Sequence, residues 1–228
     1  MGSIWLDGRT PGYPNVVDVL RAGGLTVVEF EGWKTRSRSS GGFNALAGVV
    51  HHHTASQTSP ANDLNYMVYG CPDAPVSNGL LDRTGTFTVI AGGAANHAGK
   101  GGPRGSVPLD SGNSYCFGIE AANNGVGEPW PKAQTDAYLK MTVALAAAYG
   151  LPITAPVQFS HAEWTSRKID PAGPSPWPTI NSSQTWDMNA YRASAAELAA
   201  GGGAGPADDD DDDDDLSWLL DPLVPRRA

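Results

Sequence analysis

Eight consecutive aspartates, Asp208 to Asp215, cannot be packed together inside a fold. Their carboxylates repel one another and each requires solvent. The folded part must therefore close upstream of them, and GGGAGPA at 201–207 reads as a flexible link. The run also accounts for most of the formal charge of −9: residues 1–207 carry 13 basic and 15 acidic side chains, residues 208–228 carry 2 and 9. A body so near neutrality lacks the concentrated Lys/Arg surface of a duplex nucleic-acid binder, so nucleic acid is excluded as a partner.

The 228 residues suffice for one domain with extensions. Two cysteines, Cys71 and Cys116, permit at most one bridge and cannot supply a disulfide framework. No stretch approaches the roughly 20 apolar residues of a membrane span. The opening MGSIWLDGRTPGYP shows neither the basic start nor the apolar core of a secretory signal.

The pattern along the chain predicts alternating helices and strands. Residues 15–22 read as a short helix ending at Gly23-Gly24, followed by a strand over 25–30, and Lys34 to Gly42 as a loop. ALAGVV then leads into His51, His52 and His53 at a strand end. Residues 61–69 form a helix, and two apolar runs around Asp82-Arg83-Thr84-Gly85 give an antiparallel hairpin. After a glycine-rich, irregular stretch from Ala91 to Gly112, SYCFGIEAA reads as a buried strand carrying Glu120. Residues 132–149 carry the clearest helix signal: Pro131 precedes it, Tyr138, Met141, Leu145 and Ala148 share a stripe, and Gly150 and Pro152 end it. VQFS at 157–160 is a short strand ending at His161, AEWTSRKIDPAGPSPWP a loop, and 187–200 a terminal helix. The fold class expected is a mixed α/β one, a central mixed sheet flanked by helices. Residues 1–40 are expected as a helix–strand extension packed on the domain, 41–200 as the catalytic domain, and 201–228 as linker and acidic tail.

The chemistry-bearing residues recur at strand ends: the triplet His51 to His53, then His161, then Asp170 in the following loop. Imidazoles and a carboxylate are zinc ligands, and a catalytic zinc usually has three protein ligands and an open position. Strand alternation places His52 on the face opposite His51 and His53, so one face of the triplet looks into any site, and spacing alone leaves open which. A lone histidine is more often a packed core residue than a ligand. Glu120 is the anomaly, because an unpaired buried carboxylate is costly. It is either a salt-bridge partner or a general base. Trp130, Trp164 and Trp177 are read as partly buried core residues in preference to sugar-stacking platforms.

Five ordered segments, VVHHHTAS (49–56), SNGLLDRTGTFTVIAGG (77–93), NHAGKG (96–101), FGIEAANNG (117–125) and HAEWTSRKIDPAG (161–173), resemble the type 2 zinc-dependent N-acetylmuramoyl-L-alanine amidases. These are related to the peptidoglycan recognition proteins, and the helix and strand before the first motif look most like amidase domains of endolysins from phages of actinobacteria. The resemblance implies the peptidoglycan-recognition-protein-like fold, with Zn2+ held by His52, His161 and Asp170. It implies Glu120 as the catalytic carboxylate, Lys168 as the residue that stabilises the oxyanion, and His97 as a groove-lining histidine. Cys71 and Cys116 match no ligand position, and Asn78 and Gly79 stand where the family often has a histidine after the serine.

The implied activity is hydrolysis of the amide between the lactyl group of N-acetylmuramic acid and L-alanine of the stem peptide. The partner is bacterial peptidoglycan and the expected state a monomer. A phage endolysin would wait in the host cytoplasm until the membrane is permeabilised and then act at the wall. The alternatives are a cytoplasmic amidase recycling soluble muropeptides and a noncatalytic peptidoglycan-binding module.

Overall fold

Helix formation over 132–149 follows from its ends as much as from its stripe. A computed structural model describes residues 4–5 and 11–201, and within it this segment is a helix over Lys132–Tyr149. Pro131 sits at its N-cap in extended conformation, and Gly150 closes it with φ 66°, a left-handed conformation that favours glycine. Ala137, Tyr138, Met141, Ala144 and Leu145 are buried along one face, with Ala148 at its margin.

The elements in chain order are β1 (Ile4–Trp5), β2 (Pro11–Gly12), α1 (Val16–Ala22), β3 (Thr26–Glu29), β4 (Gly48–His53), α2 (Pro60–Tyr69), β5 (Gly79–Leu81), β6 (Thr86–Val89), α3 (Gly112–Tyr115), β7 (Cys116–Ala121), α4 (the helix above), β8 (Gln158–Ser160), α5 (His161–Trp164) and α6 (Met188–Ala199). A small antiparallel pair, β1 with β2, stands apart from a six-stranded sheet of order β3-β6-β5-β7-β4-β8. Strands β5, β7, β4 and β8 run parallel, β6 is antiparallel to β5, and β3 is parallel to β6. The expected mixed sheet and the hairpin at Asp82 to Gly85 are both present.

Two expectations change. The segment after β8 begins with a helical turn, α5, because Ser160 accepts from Glu163 N–H while the Glu163 carboxylate accepts from Ser160 N–H. That reciprocal cap satisfies two orphan donors. Ser114 and Tyr115 belong to the turn α3, so the strand carrying Glu120 starts at Cys116.

One sheet face packs on α1, α4 and α6: Val49, Phe117, Ile119, Leu81, Phe87 and Val89 lie against Leu20, Tyr138, Leu145 and Tyr191. On the other face are two smaller apolar clusters, Val50, Ala98, Cys116, Phe159 and Trp164 in one and Met67, Leu80, Ile90 and Ala122 in the other. Polar chemistry on that second face lies between them. Trp130, Trp164 and Trp177 are all buried, as core residues. Cys71 and Cys116 are both free thiols. No helix among the described residues is long and apolar enough to cross a membrane. The acidic run and the sequence after it lie outside the described residues.

Candidate metal centre

Strand β4 lies between two parallel neighbours in a sheet packed on both faces, and all six of its residues are buried. Alternation then separates the three histidines. His51 enters the helical core, its ring 5.1 Å from Tyr138 and 5.0 Å from Tyr191, with Nε2 3.3 Å from Gln158 Oε1. Burial pushes its pKa down to about 3, so it is neutral. His53, on the same side, accepts the Ala172 N–H at Nδ1 (3.0 Å). It thereby ties β4 to the loop just after Asp170.

His52 points the other way. Its Nδ1 lies 3.0 Å from His161 Nδ1 and 2.9 Å from Asp170 Oδ2, and His161 Nδ1 lies 3.1 Å from the same oxygen. The backbone explains the convergence. In register, His51 pairs with Ser160, so His161 follows at the end of the neighbouring strand, and Ala162 N–H donates to Asp170 C=O (3.1 Å), folding the loop back onto α5. Burial, with His161 adding to it, brings His52 down to about 4. Burial alone would raise the Asp170 carboxyl, but His161 and His52 outweigh it and hold it below the usual carboxylate range. Two imidazoles and a carboxylate, buried and turned on one point, form a donor set suited to a metal ion such as zinc.

Glu120 is the register partner of both His52 and Leu80, and so lies on the same face as His52. It forms no ion pair among the described residues, and its Oε2 is buried without a hydrogen-bond partner. The salt-bridge alternative is therefore not what the fold provides. Burial, then the charges of Asp170 and Asp63, push its carboxyl well above the ordinary range, with Lys168 opposing them. The side chain reaches a cleft of about 470 Å³ that Thr54, Asp63 and Tyr66 also line. A second cleft, about 430 Å³, is lined by His97, His161, Lys100, Arg167 and Lys168. Lys168 is exposed in this second cleft, whereas Glu120 and Asp63 line the first.

His97 is buried, with Nδ1 3.1 Å from His52 Nε2 and Nε2 3.0 Å from the Cys116 carbonyl. Ser77 and Asn78, at the departure from the family pattern, are buried in backbone contacts: Asn78 donates to Ala91 C=O and Gly93 C=O and accepts Gly118 N–H.

The family of N-acetylmuramoyl-L-alanine amidases matches residues 42–173, a span that contains His52, His97, Glu120, His161, Lys168 and Asp170. The chain belongs to that family. Its action is on peptidoglycan. A comparison with curated proteins gave no match. Among solved structures, the amidase resembles the N-acetylmuramoyl-L-alanine amidase LysC from Clostridium intestinale URNW, with 17% identity, TM-score 0.52, and coverage of 75% of this chain and 97% of that one. It also resembles a selenomethionine derivative of AmpD, with 20% identity, TM-score 0.50, and coverage of 74% and 93%. At such identities the likeness is one of fold.

One functional residue of this amidase escaped the sequence reading. Tyr138, predicted only as part of a helix stripe, accepts His52 N–H at its hydroxyl (2.9 Å) and donates toward His52 C=O (3.0 Å) and Ile119 C=O (3.2 Å). It pins the backbone of His52 to that of β7. Nothing in a 3.6-residue period signals a hydroxyl's destination. Tyr138→Phe should leave buried backbone groups unsatisfied and lower stability by about 1–3 kcal/mol, measured by denaturant unfolding. Unchanged stability would show that these contacts contribute nothing.

Proposed function

We propose that this chain is a zinc-dependent hydrolase that cleaves the amide between the lactyl group of N-acetylmuramic acid and L-alanine of the stem peptide. We propose further that it acts on intact wall, as a phage endolysin released from the host cytoplasm. The observation that carries the chemistry is the convergence of His52, His161 and Asp170 beside an unpartnered Glu120 on one sheet face. Zinc would be held by His52 Nδ1, His161 Nδ1 and Asp170 Oδ2. Bound there it supplies Lewis acidity, acidifying a water and polarising an amide carbonyl.

The chain's own groups divide the remaining work. Glu120 takes a proton from the attacking water at Oε2 and returns it to the departing alanine nitrogen, a role that suits a carboxyl whose proton affinity burial has raised. The Lys168 ammonium offsets the negative charge growing on the carbonyl oxygen. The glycan strand and the stem peptide would occupy the two clefts, one reached by Glu120 and the other lined by His161 and Lys168.

Mass spectrometry of material released from purified intact peptidoglycan, with and without EDTA, tests the reading. Free stem peptides beginning with L-alanine are expected in the zinc-loaded sample alone. Release from soluble muropeptides but not from intact wall would replace the lytic role by a recycling one. Binding of wall without release from either substrate would reduce the protein to a recognition module.

A further inference from the structure

A neutral imidazole carries one proton, and a ring nitrogen can ligate a metal only where the proton is not. For His52 and His161 the ligating atom would be Nδ1, so each proton must sit on Nε2. The surroundings enforce this, as the acceptors each ring faces reveal. His161 Nε2 lies 3.1 Å from Ala98 C=O. A carbonyl only accepts, so that nitrogen bears the proton.

For His52 the constraint passes through a second ring. His97 Nε2 lies 3.0 Å from Cys116 C=O, which places the His97 proton on Nε2 and leaves a lone pair on its Nδ1. That lone pair faces His52 Nε2 at 3.1 Å, and one of the two must donate. The proton of His52 therefore lies on Nε2, and its Nδ1 presents a lone pair to His161 and Asp170. Adjacent residues, His97 and Ala98, thus set both histidines. The result is three lone-pair atoms within 3.1 Å of one another, an arrangement that repels unless a cation, a proton or a metal ion, lies among them.

The rest of the fold keeps His97 in place. A Cβ at Gly118 would lie 2.4 Å from His97 Cγ and 2.6 Å from Cδ2, so the ring lies directly against the β7 backbone at a position only glycine allows. The segment that carries it is tied at both ends: Asn96 N–H donates to Pro75 C=O (2.8 Å), Asn96 Nδ2 to Asp73 C=O (2.7 Å), and Ala98 N–H to Asn113 Oδ1 (2.7 Å).

We infer that His97 is a positioning residue, which, held by the Cys116 carbonyl and seated on Gly118, locks His52 in the tautomer that can bind metal. The effect on zinc rests on the metal reading above; the tautomer belongs to the metal-free protein. Two measurements decide. In metal-free protein labelled with 15N-histidine, NMR of the imidazole nitrogens should place the His52 and His97 protons on Nε2. A His52 Nε2 that carries no proton would overturn the inference without any variant. In competition with a chelator, His97→Ala should bind zinc about 10–100-fold more weakly. His97→Asn, whose Oδ1 can accept the same His52 proton, should recover most of that loss. Wild-type affinity in His97→Ala, or equal weakness in both variants, would overturn it too. Failure of the wild-type protein to bind zinc would sink the metal reading instead, with the NMR result still deciding the tautomer.

Discussion

Glu120→Gln should retain one zinc per chain and lose about 10²–10⁴-fold in the rate of stem-peptide release. The amide keeps the volume of the carboxyl but cannot take a proton from water and hand it to a departing amine. Stability supplies the second half of the argument. Were Glu120 a structural ion-pair member, its neutralisation would strand a buried cation and destabilise the fold. Its Oε2 has no partner, so the variant should unfold at the same denaturant concentration as wild type or a higher one. The sign of the pH dependence is also fixed. Because burial raises the folded-state pKa, the metal-free native protein holds a proton that the unfolded chain releases above its ordinary value of 4.5. Stability contributed below that pH is lost as pH rises toward the folded pKa, and Glu120→Gln should lack that slope. Full activity in the variant would remove Glu120 from the proton-transfer role.

How the site could be read from sequence differs residue by residue. Glu120 stood out because a carboxylate within CFGIEA contradicts its apolar neighbours, and a local contradiction is visible without a structure. Alternation separated His52 from His51 and His53, but which face holds the site depends on where α4 and α6 pack, and period-2 patterning carries no such information. Motif resemblance pointed to His52. The contacts of Tyr138 and His97 were not readable, since each ends on a group of a strand distant in sequence. The turn at His161 has a local signature, since Ser160 followed three residues on by Glu163 is a helix-start signal. Tryptophans 130, 164 and 177 followed the general rule for large aromatics and went into the core.

The triplet yields the second large effect, because three adjacent histidines should give three distinct phenotypes. His52→Ala removes a donor atom that lies 2.9 Å from Asp170 Oδ2. Loss of an outer partner of a metal ligand typically costs 10–100-fold in affinity, so loss of the ligand itself should exceed about 100-fold and take stem-peptide release with it. His51→Leu leaves the donor set untouched but deprives buried Gln158 Oε1 of its partner. It should keep stoichiometric zinc while losing about 1–3 kcal/mol of stability. His53→Ala falls between these, since it frees the Ala172 N–H and loosens the loop that presents Asp170. Zinc should bind it more weakly than wild type and more tightly than His52→Ala. Metal content by mass spectrometry, chelator competition and denaturant unfolding together resolve the three. Stoichiometric zinc at wild-type affinity in His52→Ala would mean that the metal is not held by His52 and that the donor set lies elsewhere than on this face of β4.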